Sequence, residues 1–174
     1  MELKNLKLPA SVIAGLYKQN LVITDEAISP PGVIYKTDDK EPPAASIAFF
    51  GENKKNILVA VSYAQATFMP EDELSFLTSM LSACKLSVAD TAIVNLENNR
   101  AATYNEFKRE LNSSIFLLFG ISPESIQVPL SFPHFQVQSF NNNTFLFAPP
   151  LPEIQNDKML KSKLWVCLRR IFNV

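Results

Sequence analysis

Few side chains in this sequence are of the types that do chemistry, and their settings narrow that chemistry further. The chain has one histidine, two cysteines and four glycines in 174 residues. His134 stands in Phe132-Pro133-His134-Phe135 with no carboxylate within a few residues to orient its ring, the setting of a packed side chain rather than a general base. Cys84 and Cys167 fall in helical apolar patterns and read as buried thiols. With the single histidine they fall short of a structural zinc site unless carboxylates help, and short of the thiolates an iron–sulfur cluster takes. Gly15, Gly32, Gly51 and Gly120 are too few for a phosphate-cradling loop, and no Walker-type loop, dinucleotide fingerprint or Gly-x-Ser-x-Gly elbow occurs. No cofactor and no metal is expected.

The polar residues with a claim to a site stand at the ends of apolar runs. Ile57-Leu58-Val59-Ala60-Val61 reads as a buried strand and runs into Ser62-Tyr63-Ala64-Gln65, where a nucleotide-binding α/β protein would often carry Gly, Asp or Glu. Asn95 closes a second run, Thr91-Ala92-Ile93-Val94, where an asparagine commonly ends a strand and bonds a turn. The aromatics Phe132, Phe135, Phe140, Phe145 and Phe147 sit in extended segments with alternating polar residues and line a sheet face; exposed, they would stack bases or anchor a partner.

The elements that must position these residues alternate in kind. Val12, Ile13, Leu16 and Tyr17 recur at helical spacing within residues 10–19, and turn composition follows from Ser29 to Pro43. Residues 46–50 read as a short strand, joined by a polar turn to the strand 57–61 in what would be a hairpin. A helix opens with Pro70 at its first position and Glu71, Asp72 and Glu73 against the positive end of its dipole, then carries Leu74, Leu77, Leu81 and Cys84 on one face. Thr103-Tyr104-Asn105-Glu106 has the form of a capping box ahead of Phe107 and Leu111. Ile115-Phe116-Leu117-Leu118-Phe119 is a third buried strand. Residues 131–137 and 144–147 read as extended around turn chemistry at Asn141-Asn142-Asn143, Pro149, Pro150 and Pro152 forbid regular structure locally, and a helix from about Asn156 places Leu160, Leu164, Cys167, Leu168 and Ile171 on one face. Strand, helix, strand, helix, strand with short links is the grammar of an α/β fold, a three-layer α/β/α sandwich around a central, mostly parallel sheet.

The bulk numbers agree with one domain over residues 1–174, with residues 1–45 as an N-terminal helix and loop region packed on it. Hydrophobic residues make up 47% and charged residues 19%, an ordinary globular balance. A net charge of -1 gives no global pull toward nucleic acid or anionic membranes. Lys158, Lys161, Lys163, Arg169 and Arg170 make the last helix basic, but spread around it as a solvated face rather than a phosphate track. The N-terminus lacks the apolar run of a signal peptide and no apolar stretch reaches about 20 residues, so no membrane association and a cytoplasmic location are expected.

From Ile57 to Arg170 the order of parts resembles a family 4 type uracil-DNA glycosylase: the helix Glu73-Leu74 through Ala83, the run Leu86 to Asn95 with its terminal asparagine, Leu117-Leu118-Phe119-Gly120, and Phe147-Ala148-Pro149-Pro150-Leu151 where that family carries a Tyr-His-Pro motif. The chain is similar over a comparable extent to the psi-subunit family of the bacterial replicative polymerase, from the helix near Ala14 and Leu21-Val22-Ile23 through Ser46-Ile47-Ala48 to Lys163-Leu164-Trp165.

These resemblances imply a uracil-DNA-glycosylase-like fold without the enzyme. Excision needs a flipped base, a positioned water and stabilisation of charge on the departing base. Ser62-Tyr63-Ala64-Gln65-Ala66 has neither glycine nor carboxylate, and Ala148 replaces the motif histidine, a loss of about 10²–10³ in rate on oxyanion-type precedent. Glycosylase activity is not expected. The psi likeness implies a non-catalytic adaptor in DNA replication or repair, with a protein partner held by the globular domain and a clamp loader engaged by the region from Leu6 to Ile23; the partner-binding residues it suggests are Leu6, Val12, Leu16, Tyr17 and Trp165. The alternative is a divergent glycosylase-like domain that binds a nucleobase or nucleic acid through the amide of Asn95 and a pocket aromatic, Tyr63 or Phe68. A lineage-specific function on an inherited fold is a third.

Overall fold

The computed structural model describes residues 46–174, which belong to one compact unit. The helix expected within residues 10–19, the turns up to Pro43 and the packing of residues 1–45 lie outside the described residues.

Three apolar runs make adjacent strands of the sheet, and they are apolar on both faces. β1 (Ile57–Val61) and β2 (Thr91–Asn95) are buried at every position, and β3 (Ile115–Phe119) at all but its first. Such runs need cover on two sides, as parallel sheets provide. With β4 (Val137–Phe140) and β5 (Asn143–Ala148) they form one five-stranded sheet in the order β2-β1-β3-β5-β4. All neighbours are parallel except the edge hairpin of β4 on β5, and the register sets Val59 beside Ile93 and Leu117, and Leu117 beside Leu146.

The alternation of side chains along each strand then divides the core in two. Val59, Ile93, Leu117 and Leu146 face a layer made by α1 (Glu71–Ala83), α3 (Leu151–Asn156) and α4 (Lys158–Phe172), which contribute Leu77, Leu81, Leu151, Ile154, Leu164 and Leu168. Leu58, Val94, Phe116, Leu118 and Phe145 face α2 (Tyr104–Leu111) and the segment from Ile121 to Phe132, whose Ile126 and Val128 are buried. Phe116 and Phe145 stack at 4.7 Å between centroids, an arrangement worth about 1 kcal/mol beyond its buried area. The chain is an α/β protein with a mostly parallel sheet flanked by helices. No helix of the described residues is long and apolar enough to cross a membrane.

The helices begin where the sequence gives them a start. Glu71, Asp72 and Glu73 fill the first turn of α1; Pro70 is its extended N-cap, one place earlier than expected. The capping box closes at α2: Thr103 N–H donates to Glu106 Oε2 at 2.6 Å and Glu106 N–H to Thr103 Oγ1 at 3.5 Å. Asp157 caps α4 by accepting from the backbone N–H of Met159 at 2.6 Å and of Leu160 at 3.2 Å. Lys108 of α2 reaches Asn143 Oδ1 at 3.0 Å, and Asn143 Nδ2 donates to Tyr104 Oη at 2.6 Å, so one polar network ties α2 to the edge hairpin.

Three expectations need correction. Residues 46–50 do not form a hairpin with β1; only Phe50 pairs, antiparallel, with Ile93 on the free edge of β2, through two bonds of 2.8 Å. The reason is that both edges of β1 are already taken, by β2 and β3. Residues 131–136 are not a strand; β4 starts at Val137 and turns through Asn141 and Asn142, both left-handed (φ 48° and 60°), as a two-residue hairpin requires. The prolines after β5 do not forbid structure: Pro150 is the N-cap of α3 and Pro152 lies in its first turn, where a missing N–H costs nothing.

Gly51 carries the turn that leads into β1. Its φ is +111°, and a methyl group there would lie 2.8 Å from the Val88 carbonyl oxygen and closer still to that of Thr91. Gly51→Ala is expected to lower stability by more than about 2 kcal/mol, combining a forbidden backbone conformation with a backbone collision. Urea unfolding followed by circular dichroism measures it, and a midpoint equal to wild type would contradict this role for the turn.

Candidate functional site

The strand order decides where a ligand-sized recess must open. The chain leaves β1 toward β2 on one side and then passes to β3 on the other, so the loops at the carboxyl ends of β1 and β3 part. A crevice of about 270 Å³ lies there, lined by Ser62 after β1, Glu97 and Arg100 after β2, and Gly120, Ile121 and Ser125 after β3. Gly120 takes φ +69° against Pro150, leaving the lip of β3 without a side chain.

Its polar groups are joined. Ser62 Oγ donates to Glu97 Oε1 at 3.0 Å, and Arg100 Nη2 donates to Glu97 Oε2 at 2.6 Å. The bond from Arg100, then that from Ser62, and the Arg100 charge hold the Glu97 carboxyl below the usual carboxylate range. Glu97 is therefore ionised at neutral pH with both oxygens occupied. It is no general acid, and the serine beside it has no imidazole to take its proton. What the crevice offers a ligand is the Arg100 guanidinium, whose side chain is 80% exposed, and the Ser62 hydroxyl. Sequence reasoning missed this trio because two loops distant in sequence meet to make it; the only local signal was the acid and base three residues apart at Glu97 and Arg100.

Asn95 and Tyr63, named from the sequence, are brought together, but by the asparagine amide acting on backbone. Asn95 is fully buried. Its Oδ1 accepts from the N–H groups of Tyr63 at 3.0 Å and Glu97 at 3.2 Å, and its Nδ2 donates to the carbonyls of Tyr63 and Ala66, both at 2.8 Å. Two acceptor and two donor positions are all an amide has, so none faces a ligand. The side chain fixes the loop from Tyr63 to Ala66 onto the end of β2.

Tyr63 is half-buried against the α1 side of the core. Burial, and then the charge of Glu73, push its phenol up to about 12. Phe68 is not part of this arrangement; its ring lies 5.9 Å from that of Phe50. Ala148 is wholly buried in the core on the side of α1, α3 and α4. His134 is exposed, with its ring 4.2 Å from that of Phe147. Of the aromatic group, Phe145 and Phe132 are buried and Phe135, Phe140 and Phe147 half-buried. Cys84 and Cys167 are buried with their thiols pushed up by desolvation, and Cys167 Sγ donates to the Phe135 carbonyl at 3.1 Å.

Trp165 is on the outer side of α4, 36% exposed, near Met159 and Val166 at 67% and 64%. Leu6, Val12, Leu16 and Tyr17 lie outside the described residues. No protein-family model matches the chain, and no curated protein matches it.

Two measurements probe this region. Asn95→Ala removes three hydrogen bonds from the loop and one from Glu97, taking their partner from two N–H groups and two carbonyls; a loss of about 2–4 kcal/mol is expected, with faster exchange of the Tyr63 amide by hydrogen-exchange mass spectrometry. An unchanged exchange rate would show that something else holds the loop. The second is alkaline. The Tyr63 phenol is harder to ionise folded than at the ordinary value of 10.0, so its contribution to stability is whole below pH 10 and is lost as pH rises from there toward 12. The difference in unfolding free energy between wild type and Tyr63→Phe should narrow, or reverse, over that window, and a pH-independent difference would refute the shift.

Proposed function

We propose that this chain is a non-catalytic adaptor: a uracil-DNA-glycosylase-like α/β/α domain that serves DNA replication or repair by holding a protein partner, as the psi-subunit likeness implies. The observation that carries this reading is the state of the positions where the resemblance expects chemistry. The amide of Asn95 is wholly engaged with backbone, Ala148 is packed in the core, and the loop after β1 offers no carboxylate. At those positions a reaction that must orient water and stabilise an anion finds no group free for either task. Exposed large apolar side chains on α4 give a partner something to hold, since buried aromatics are what anchor protein interfaces.

The alternative, a domain that binds a nucleobase or nucleic acid, draws on the crevice beside Ser62 and Arg100. Two experiments on the full chain separate the readings. Tagged protein purified from its own cells at mild salt should carry clamp-loader or single-strand-binding proteins in stoichiometric amounts, and a uracil-containing single-stranded oligonucleotide should be neither cut nor bound. Excision of uracil, or oligonucleotide binding lost in Arg100→Ala with no replication protein recovered, would replace the adaptor reading with the alternative.

A further inference from the structure

Helix α4 is the most one-sided element of the described residues in charge. Five of the chain's 16 Lys and Arg residues (Lys158, Lys161, Lys163, Arg169 and Arg170) lie in its 15 residues, and it has no Asp or Glu. Among the described residues no Asp or Glu lies in an ion pair with any of the five, and Arg169 Nε donates to the Val174 oxygen at 3.1 Å. The sequence pattern alone spreads these charges around the helix. The fold collects them, because Leu164, Cys167 and Leu168 are turned into the core and the basic residues share what is left.

That outer face is not purely basic. Lys158, Lys161, Trp165 and Arg169 follow one another at spacings of three and four, one ridge of a helix. Met159, Lys163, Val166 and Arg170 make the ridge beside it. Between the first ridge and α1 opens an apolar slot of about 190 Å³, walled by Phe76, Met80, Leu164 and Trp165. Lys161 Nζ stands 5.7 Å from the centroid of the Phe76 ring, so a cation marks the rim of the slot. The one hydroxyl at its wall, Ser79 Oγ, already donates to the Ser75 carbonyl at 3.0 Å.

We propose that this face binds an acidic peptide segment, seating one bulky apolar side chain in the slot beside Trp165 and setting carboxylates against the lysines and arginines on either side. The proposal rests on the adaptor reading and gives the partner its chemistry. From Lys158 to Arg169 the ridge runs about 16 Å at the helical rise, the length of about five residues of extended chain. A nucleobase fits the slot less well, because its several polar edge atoms would find only the Ser79 hydroxyl oxygen and the Lys161 ammonium at the rim. A membrane surface fits less well too: an interfacial helix inserts its apolar face, and that of α4 is in the core.

The chain has one tryptophan, Trp165, so its emission reports on the slot directly. The probe is an acetylated heptapeptide with one phenylalanine between two runs of three aspartates, titrated into the full chain. A saturable change in Trp165 emission is expected, weakened several-fold by added salt. By anisotropy of the labelled peptide, affinity should fall at least ~10-fold in Trp165→Ala, in the double variant Lys161→Glu with Arg169→Glu, and for a peptide with serine in place of phenylalanine, as expected of an anchor residue. These positions are exposed, and a circular dichroism spectrum equal to wild type checks the fold of each variant. No saturable change, equal binding of the serine peptide, or tighter binding of oligothymidylate or of anionic vesicles overturns the proposal. The adaptor reading fails separately. Replication proteins recovered equally by wild type and the double variant would leave that reading standing and remove this face from it. Peptide binding with none recovered would do the reverse.

Discussion

Everything in this domain is arranged around the complete enclosure of β1. Its five residues are covered on both faces by helical layers and on both edges by β2 and β3. A strand with no free edge cannot accept a hairpin partner, so residues 46–50 are driven to the outer edge of β2, where Phe50 pairs with Ile93. The chain must also cross the sheet to reach each neighbour of β1 in turn. The place where those crossings diverge is where a crevice opens at the carboxyl ends of the strands. The burial that stabilises the sheet and the position of its crevice are thus one fact. Fully burying each of the large aliphatic side chains of β1 is worth about 1.5–3 kcal/mol, which makes this strand the last place the fold could yield.

The loop that leaves β1 shows what such enclosure does to function. A loop at the mouth of a crevice is free to present groups to a ligand only if something else holds it. Here the nearest amide, Asn95, does the holding, with all four of its hydrogen-bonding positions on backbone. The remaining polar trio is closed in the same manner, since Glu97 accepts from both Ser62 and Arg100. A carboxylate with both oxygens engaged by donors gains stability as an anion and loses reach as a base. Asn95 and Glu97 at the open end of the sheet stiffen its loops, while Ser62 and Arg100 still face water.

How far this could be read from the sequence follows the range of the interactions involved. The strands 57–61, 91–95 and 115–119 were legible because a run apolar on both faces has a local signature, and the start of α2 because a capping box needs only four consecutive residues. The hairpin expected of residues 46–50 went wrong because edge occupancy is decided by strands distant in sequence. Pro150 and Pro152 misled for a local reason: a proline that breaks a helix interior is harmless in its first turn, and composition does not say which it will be. The crevice was illegible, since Ser62, Glu97 and Ser125 come from three loops and no two of them share a motif. Asn95 was named with Tyr63 or Phe68 as a base contact, yet its amide meets the backbone of Tyr63, the turn-bonding role an asparagine at a strand end commonly takes.

The charge on α4 is the clearest case of information that only the fold supplies. Read along the helix, five cations in fifteen residues point in every direction. Docking the helix through Leu164, Cys167 and Leu168 removes one side from water, and what remains outside is basic with Trp165 and Val166 set in it. No selection for a patch is needed to produce such segregation; burying one face of any amphipathic helix concentrates its polar residues on the other. What that argument does not produce is a tryptophan and two large aliphatic side chains left on the solvated side. A helix docked through one face has no second core for these, and only Trp165 gains partial cover, from the slot it shares with Phe76 and Met80. An acidic segment laid along this face, as proposed, would cover these side chains and meet its cations in one contact.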